Sequence, residues 1–171
     1  MRNGVISSVT IASAIAEDAA EVAAVRNAAA ERLTRDHGRG HWSGFISEQG
    51  VLRGINTSRV LVARSGDQVV GTLRLATKKP WAIDLNYFVP SKRPLYLVDM
   101  AVSPDVQRAG VGRQLLDAAT RTAHGWSADA IRLDAYDHAA GAGTFYEKCG
   151  FREVGRSTYR GVALIYYQLL L

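Results

Sequence analysis

Cysteine is almost missing from this chain of 171 residues: Cys149 stands alone. No internal disulfide can form, and such sparing use fits a reducing compartment, so a cytoplasmic location is expected. Long apolar runs are missing too, and none approaches the roughly 20 residues of a membrane span. The first twenty residues, MRNGVISSVTIASAIAEDAA, hold one Arg, no long apolar core and early acids, which argues against a secretory leader. Repeats, low-complexity tracts and internal linkers are also lacking, and the length suits one domain over 1–171 with a single core. The loop His37-Gly38-Arg39-Gly40-His41-Trp42 carries two His but has no Cys or acid cluster beside it, so no metal is expected. The net charge of +5 invites a nucleic-acid reading. Its positive residues are nevertheless spread out, with only short pairs at Lys78-Lys79 and Lys92-Arg93 and no aromatic-interleaved RNA signature. Binding a polyanionic cofactor, or no functional reason at all, explains the balance better, and neither nucleic acid nor membrane is an expected partner.

What is present centres on Leu95 to His124, LYLVDMAVSPDVQRAGVGRQLLDAATRTAH. Leu95-Tyr96-Leu97-Val98 suits a largely buried strand. The strand carries Asp99 and stops at Ser103-Pro104, where proline has no N–H for the ladder. A segment of helical period follows, with Val111, Leu115, Ala118, Ala119 and Thr122 on one face. Between them lies Gln107-Arg108-Ala109-Gly110-Val111-Gly112-Arg113. A glycine-spaced loop entering a helix grips anions, because first-turn N–H groups lack intrahelical partners and the helix dipole adds partial positive charge. The P-loop spacing GxxxxGK[ST] is absent. The Rossmann GxGxxG is incomplete, since Leu115 stands where its third glycine belongs, although Asp134 lies at about the right distance for the ribose-binding acid.

A second stretch carries Phe145-Tyr146-Glu147-Lys148-Cys149-Gly150-Phe151. The Gln-x-x-Gly-x-Gly of residues 107–112 resembles the pyrophosphate loop of the GCN5-related N-acetyltransferase (GNAT) superfamily, and FYEKCGF resembles its later signature. Their order, with a helix and a strand between, makes the pair stronger than either alone. The resemblance implies an acyl-CoA N-acyltransferase-like α/β (α+β) fold: a mixed, mostly antiparallel central sheet with helices on both faces. It implies acetyl-CoA as co-substrate, with its pyrophosphate over Gln107, Arg108, Ala109, Gly110, Val111, Gly112 and Arg113. The pantetheine arm is then expected along the backbone of Met100, Ala101 and Val102, like an added strand. Tyr146 matches the family's general acid. Where the family commonly has an Asn, seven residues before that Tyr, this chain has Ala139, and His138 is the candidate replacement.

The reaction needs a neutral amine, whose ordinary pKa is near ~10.4, so a group must accept its proton. Asp99, the nearest acid on the central strand, and Asp84 are the candidates, with a chain of waters as the competitor. The segment Lys78 to Pro94 holds three of the four prolines together with Trp81, Tyr87 and Phe88. It is expected to enter the sheet beside the central strand. Trp42 in the first loop, with Trp81, Asp84 and Tyr87, is then expected to line the acceptor pocket. Cys149 has no motif partner that would make it a nucleophile. Elsewhere, Val5 to Ile11 reads as a strand and Ala16 to Asp36 as a helix striped by Val22, Val25, Ala29 and Leu33. Val60 to Ala63 and Val69 to Leu75 read as a hairpin, Ile131 to Ala135 as a strand, and Phe151 to Gly155 and Val162 to Leu170 as the last strands. The leading expectation is an N-acetyltransferase acting on a primary amine of a small molecule, by direct attack with Tyr146 as general acid. A non-catalytic acyl-CoA sensor or scaffold is the alternative, and homodimerisation is left open.

Overall fold

The computed structural model describes residues 8–171. Seven strands form one sheet: β1 (Val9–Ser13), β2 (Arg59–Ser65), β3 (Gln68–Ala76), β4 (Pro94–Val102), β5 (Ala130–Tyr136), β6 (Arg152–Tyr159) and β7 (Val162–Leu170). Their spatial order is β1-β2-β3-β4-β5-β7-β6. Every neighbouring pair is antiparallel except β4 with β5. The expected strand from Val5 falls partly outside the described residues, and the strand seen starts at Val9.

Four helices cover the sheet: α1 (Ala19–His37), α2 (Glu48–Thr57), α3 (Val111–Gly125) and α4 (Gly143–Lys148). α3 is the crossover between parallel β4 and β5, and it buries Val111, Leu115, Leu116 and Ala119 on Leu73, Leu75, Leu95, Leu97 and Ile131. Removing that much apolar surface from water, at about 25 cal/mol per Å², is the main force fixing α3 to the sheet. The face opposite α3 is shared. α1 and α2 cover the β2–β4 half through Val22, Val25, Val51, Val62 and Val69. Residues 77–93 cover the β5–β7 half, with Ile83 and Phe88 packed on Tyr96, Leu164 and Tyr166.

Those residues do not enter the sheet as expected. Pro80 and Pro90 remove N–H donors that a ladder strand needs, and the segment is held from the side instead. Tyr166 Oη donates to the Ala82 carbonyl at 2.5 Å, and Val89 N donates to Gln168 Oε1 at 2.9 Å. Arg132 Nη2 donates to the Val89 carbonyl at 2.8 Å. The helix α2 has no counterpart in the sequence expectations. It is short and contains Gly50 and Gly54, which lower helix propensity, yet Ser47 caps it by accepting from Gly50 N at 3.1 Å. Asp18, just before α1, is buried and paired with Arg64 and also accepts from Ile15 N, so it anchors the helix to β2 as well as favouring its N-terminus.

Candidate active site

The site begins where the sheet fails to stay closed. β4 and β5 pair only at Pro94↔Ala130, Leu95↔Ile131 and Tyr96↔Arg132, although the strands have nine and seven residues. Beyond Tyr96 the β5-facing edge of β4 is unpaired, while its other edge stays bonded to β3 as far as Gly71↔Val102. An unpaired edge with alternating N–H and C=O groups is a template for an extended ligand. Met100, Ala101 and Val102 lie along it.

At the point of divergence β4 carries one extra residue. Arg74 pairs with Val98 and Thr72 with Ala101, and Asp99 sits at φ 56°. The alternation explains this bulge. Leu95 and Leu97 face α3, so an unbroken strand would drive Asp99 into the same apolar core. The bulge turns it to the opposite face, where Arg26 Nη2 donates to Oδ1 at 2.9 Å and Arg74 Nε donates to Oδ2 at 2.8 Å. Both carboxylate oxygens are engaged by guanidinium groups.

A slot of about 400 Å³ opens between the diverging strands, lined among others by Leu33, Asp99, Met100, Asp134, Tyr136 and Tyr146. Tyr146 comes from α4 and is 7% exposed, with its hydroxyl 3.7 Å from Met100 Sδ. Burial raises its pKa well above the ordinary phenol value, and the charges of Asp134 and then Cys149 add to the rise. Asp134 lies on β5 and has no cationic partner among the described residues. Burial raises its pKa above the usual carboxylate range, against the opposing pull of its own backbone N–H.

On the α1 side the slot continues into a cleft of about 320 Å³ that includes Arg26, Trp42, Phe45, Asp99 and Tyr136. A third recess, about 340 Å³, joins Asp134 and Tyr136 to His41, Ala82 and the β6–β7 turn at Arg160. The apolar stripe of α1 thus divides its duties. Val22 and Val25 are buried in the core, whereas Ala29 and Leu33 are half-buried and line the cleft.

Around the loop before α3, Arg108 (φ 67°) and Gly110 (φ 83°) adopt left-handed conformations. Two such residues fold the chain back so that it enters α3 at Val111, whose first-turn N–H groups have no partner one turn earlier. Glycine at 110 takes this conformation without Cβ strain. Gln107 Nε2 donates to the Val102 carbonyl at 3.3 Å and so ties the loop to the end of β4. Ala109 N donates to the Val106 carbonyl at 3.3 Å. Gly112 serves packing as well, because a Cβ there would stand 3.0 Å from Phe145 Cζ. Arg113 is committed elsewhere: its Nη2 donates to the Lys148 carbonyl at 2.8 Å, at the C-terminus of α4. Arg108 is exposed at the loop.

The remaining sequence candidates divide. Trp42 and His138 meet, with ring centroids 4.7 Å apart, and Trp42 lies 5.8 Å from Tyr136. His138 Nδ1 accepts from Ala140 N at 3.0 Å, which orients its ring. Trp81, Asp84 and Tyr87 line none of the cavities described. Trp81 is 81% exposed, Asp84 accepts from Asn86 N at 3.0 Å within its own turn, and Tyr87 packs on Gly155 and Tyr166. Asp134, which the sequence offers only as a ribose-binding acid of an incomplete Rossmann motif, and Tyr136, which it does not single out, both line the slot. The signal for Asp134 is its place beside Leu133 and Ala135: a carboxylate amid buried apolar residues on a strand needs a reason to be there.

The family model for the acetyltransferase (GNAT) domain matches residues 56–153, more than half of the chain, and the protein belongs to that family. No protein of curated description matches it by sequence. Among solved structures, it is similar to the GCN5-related N-acetyltransferase from Rhodopseudomonas palustris, with 23% identity, TM-score 0.72 and coverage of 99% of this chain and 100% of that one. It is similar to the PaiA N-acetyltransferase from Thermoplasma acidophilum, solved in complex with coenzyme A, with 16% identity, TM-score 0.73 and coverage of 95% and 99%. It is also similar to yncA from Salmonella typhimurium, solved with its cofactor acetyl-CoA, with 19% identity, TM-score 0.70 and coverage of 96% and 94%. At these identities the likeness shows the fold, a seven-stranded open mixed sheet with helices on both faces. Among the described residues, no helix is long and apolar enough to cross a membrane.

Proposed function

We propose that residues 1–171 act as one acetyltransferase domain that moves an acetyl group from acetyl-CoA to a primary amine of a small molecule. The observation that carries this reading is the slot between β4 and β5, where the unpaired edge of β4, the Tyr146 hydroxyl and the Asp134 carboxylate converge. Acetyl-CoA, when bound, supplies an acyl carbon activated by its thioester. The Gln107–Arg113 loop fits its pyrophosphate, through first-turn N–H groups and the exposed Arg108. Met100 to Val102 fit its amide-bearing arm. The two similar structures solved with coenzyme A and acetyl-CoA support acetyl-CoA as the co-substrate.

The amine nitrogen forms the new C–N bond, and the proton it sheds passes to Asp134, which then loses it to solvent. The C–S bond breaks, and the departing thiolate takes a proton from Tyr146, which regains one from solvent. Asp134 suits the basic role better than Asp99, because its raised pKa strengthens it as a base and no cation occupies it. Asp99, held between Arg26 and Arg74, serves to position the acceptor. Trp42 and Tyr136 provide an aromatic wall beside it. Trp81, Asp84 and Tyr87 take no part in this reading, and residues 77–93 reach the outer recess through Ala82.

The test is release of free thiol from acetyl-CoA against a panel of amines, with the acetylated product identified by mass. Turnover with at least one amine supports the reading. Tight acetyl-CoA binding without turnover of any amine would sink it in favour of an acyl-CoA-binding module.

A further inference from the structure

A fourth cavity, about 310 Å³, lies between α1, α2 and strands β2–β4, and the acetyl-transfer chemistry makes no use of it. Its charged lining consists of Arg26, Arg53, Arg74 and Asp99. One carboxylate thus faces three guanidinium groups. The two ion pairs to Asp99 use only Nη2 of Arg26 and Nε of Arg74. Arg74 spends Nη1 on Ser58 Oγ at 3.4 Å, leaving Nη2, while Nε and Nη1 of Arg26 have no partner among the described residues. Arg53 has no acidic partner there and stands at the mouth.

The packing keeps this space open at a cost to α2. Gly54 lies against Arg74, and a Cβ there would come within 3.3 Å of Arg74 Cδ. A glycine weakens a helix interior, and here it leaves room for a guanidinium to lie across the helix. Burial is the main cause that lowers the pKa of Arg26; Asp99 opposes it, and the nearby Arg74 charge adds a smaller lowering.

We propose that the acceptor is an amine that carries its own carboxylate, an amino acid in chemical class, and that Arg26, Arg53 and Arg74 hold that carboxylate. The planar fork of a guanidinium matches the two oxygens of a carboxylate. Placement follows from Asp99, which lines this cavity, the α1-side cleft and the slot alike. The carboxylate of the acceptor sits on the arginine side of Asp99. Its amine reaches past Asp99 toward Asp134 and the thioester position. Because one residue separates the two sites, the acceptor is compact, with only a few bonds between nitrogen and carboxylate. This inference rests on the acetyl-transfer reading and adds a specificity device to it.

The experiment measures acetyl-CoA-dependent thiol release with α-amino acids, β-alanine and 4-aminobutyrate, each against its own carboxamide. At least one acid should exceed its carboxamide in kcat/KM by tenfold or more. Arg53→Gln should shrink that ratio by about tenfold, the range of a lost hydrogen bond to a charged group, chiefly through KM. Arg53→Lys should keep part of it. Carboxamides turned over as well as the acids, or a ratio unchanged in Arg53→Gln, would overturn the proposal while leaving acetyl transfer intact. Calorimetric binding of the same amino acids with coenzyme A present separates the two readings. If no amine is acetylated but amino acids bind the wild type about tenfold tighter than Arg53→Gln, the anion site stands and the transfer reading falls.

Discussion

Replacing Tyr146 with Phe removes one oxygen from a side chain whose ring is buried among Phe145, Phe151 and Tyr167. The ring contacts survive, so the apolar packing is kept. Among the described residues, the hydroxyl has Met100 Sδ as its one hydrogen-bond acceptor, at 3.7 Å. Thioether sulfur is a poor acceptor, so the loss in folding free energy should stay below the ~1 kcal/mol of an ordinary hydrogen bond. Coenzyme A affinity should hardly change. Turnover should change greatly, because positioned general acids contribute about a hundredfold or more, equal to ~2.7 kcal/mol of activation free energy. Burial and the neighbouring Asp134 keep the proton on Tyr146 at all working pH. The wild-type rate should therefore show no alkaline decline from this group. Steady-state thiol release and a thermal melt on the same preparation make the comparison. A Tyr146→Phe enzyme with near-normal kcat and native stability would refute the acid role and assign protonation of the thiolate to solvent.

Asp134→Asn should lower kcat by about ten- to a hundredfold and abolish the acid limb of the kcat/KM profile. In the wild type that limb should lie above the ordinary carboxylate range, because burial raises the Asp134 pKa and the reaction needs its ionised form. Stability should move the other way. A carboxyl whose folded pKa is raised contributes fully below its unfolded value, near ~3.9, and loses that contribution as pH rises through the folded value. The Asn variant should therefore melt higher than wild type at pH 7, and the gain should disappear in acid. Arg108→Glu places a negative charge at the pyrophosphate loop and should weaken coenzyme A binding about tenfold at low salt, less at high salt; unchanged affinity by calorimetry would misplace the loop. Trp42→Ala should raise KM for the amine more than Trp81→Ala does, since Trp42 lines the cleft and Trp81 is exposed; the reverse order would move the acceptor site toward residues 77–93.

How far the sequence could be read depends on whether a feature is local. The Gln107–Gly112 loop and FYEKCGF are short motifs, and the α3 stripe is an amphipathic repeat within one helix, so their structural roles were visible before the fold. α2 was not, because Gly50 and Gly54 mask its helical pattern, and the reason for them lies in Ile46 and Arg74 outside the helix. The placing of residues 77–93 is illegible in the sequence for a related reason. Aromatics between prolines at 80–94 suggested a pocket, but Ile83 and Phe88 bury inward and leave Trp81 on the surface.

Asp99 shows how a local conflict can point to a distant partner. Two leucines in period, followed by an acid in the same phase, cannot all face one apolar core. The chain resolves the conflict with a bulge rather than a buried charge, and Asp99 adopts φ 56°, a region that Asp tolerates better than most residues. The bulge turns the acid outward to Arg26 and Arg74, which lie 73 and 25 residues away in sequence. It lies just beyond the last pair of β4 with β5, Tyr96↔Arg132, so the ion pairs and the slot sit on the same stretch of strand. Closing the alternation, by deleting a residue at the bulge, would bring β4 back into register and bury the acid. The same break in period that turns Asp99 toward the arginines lies beside the slot proposed for the acyl thioester.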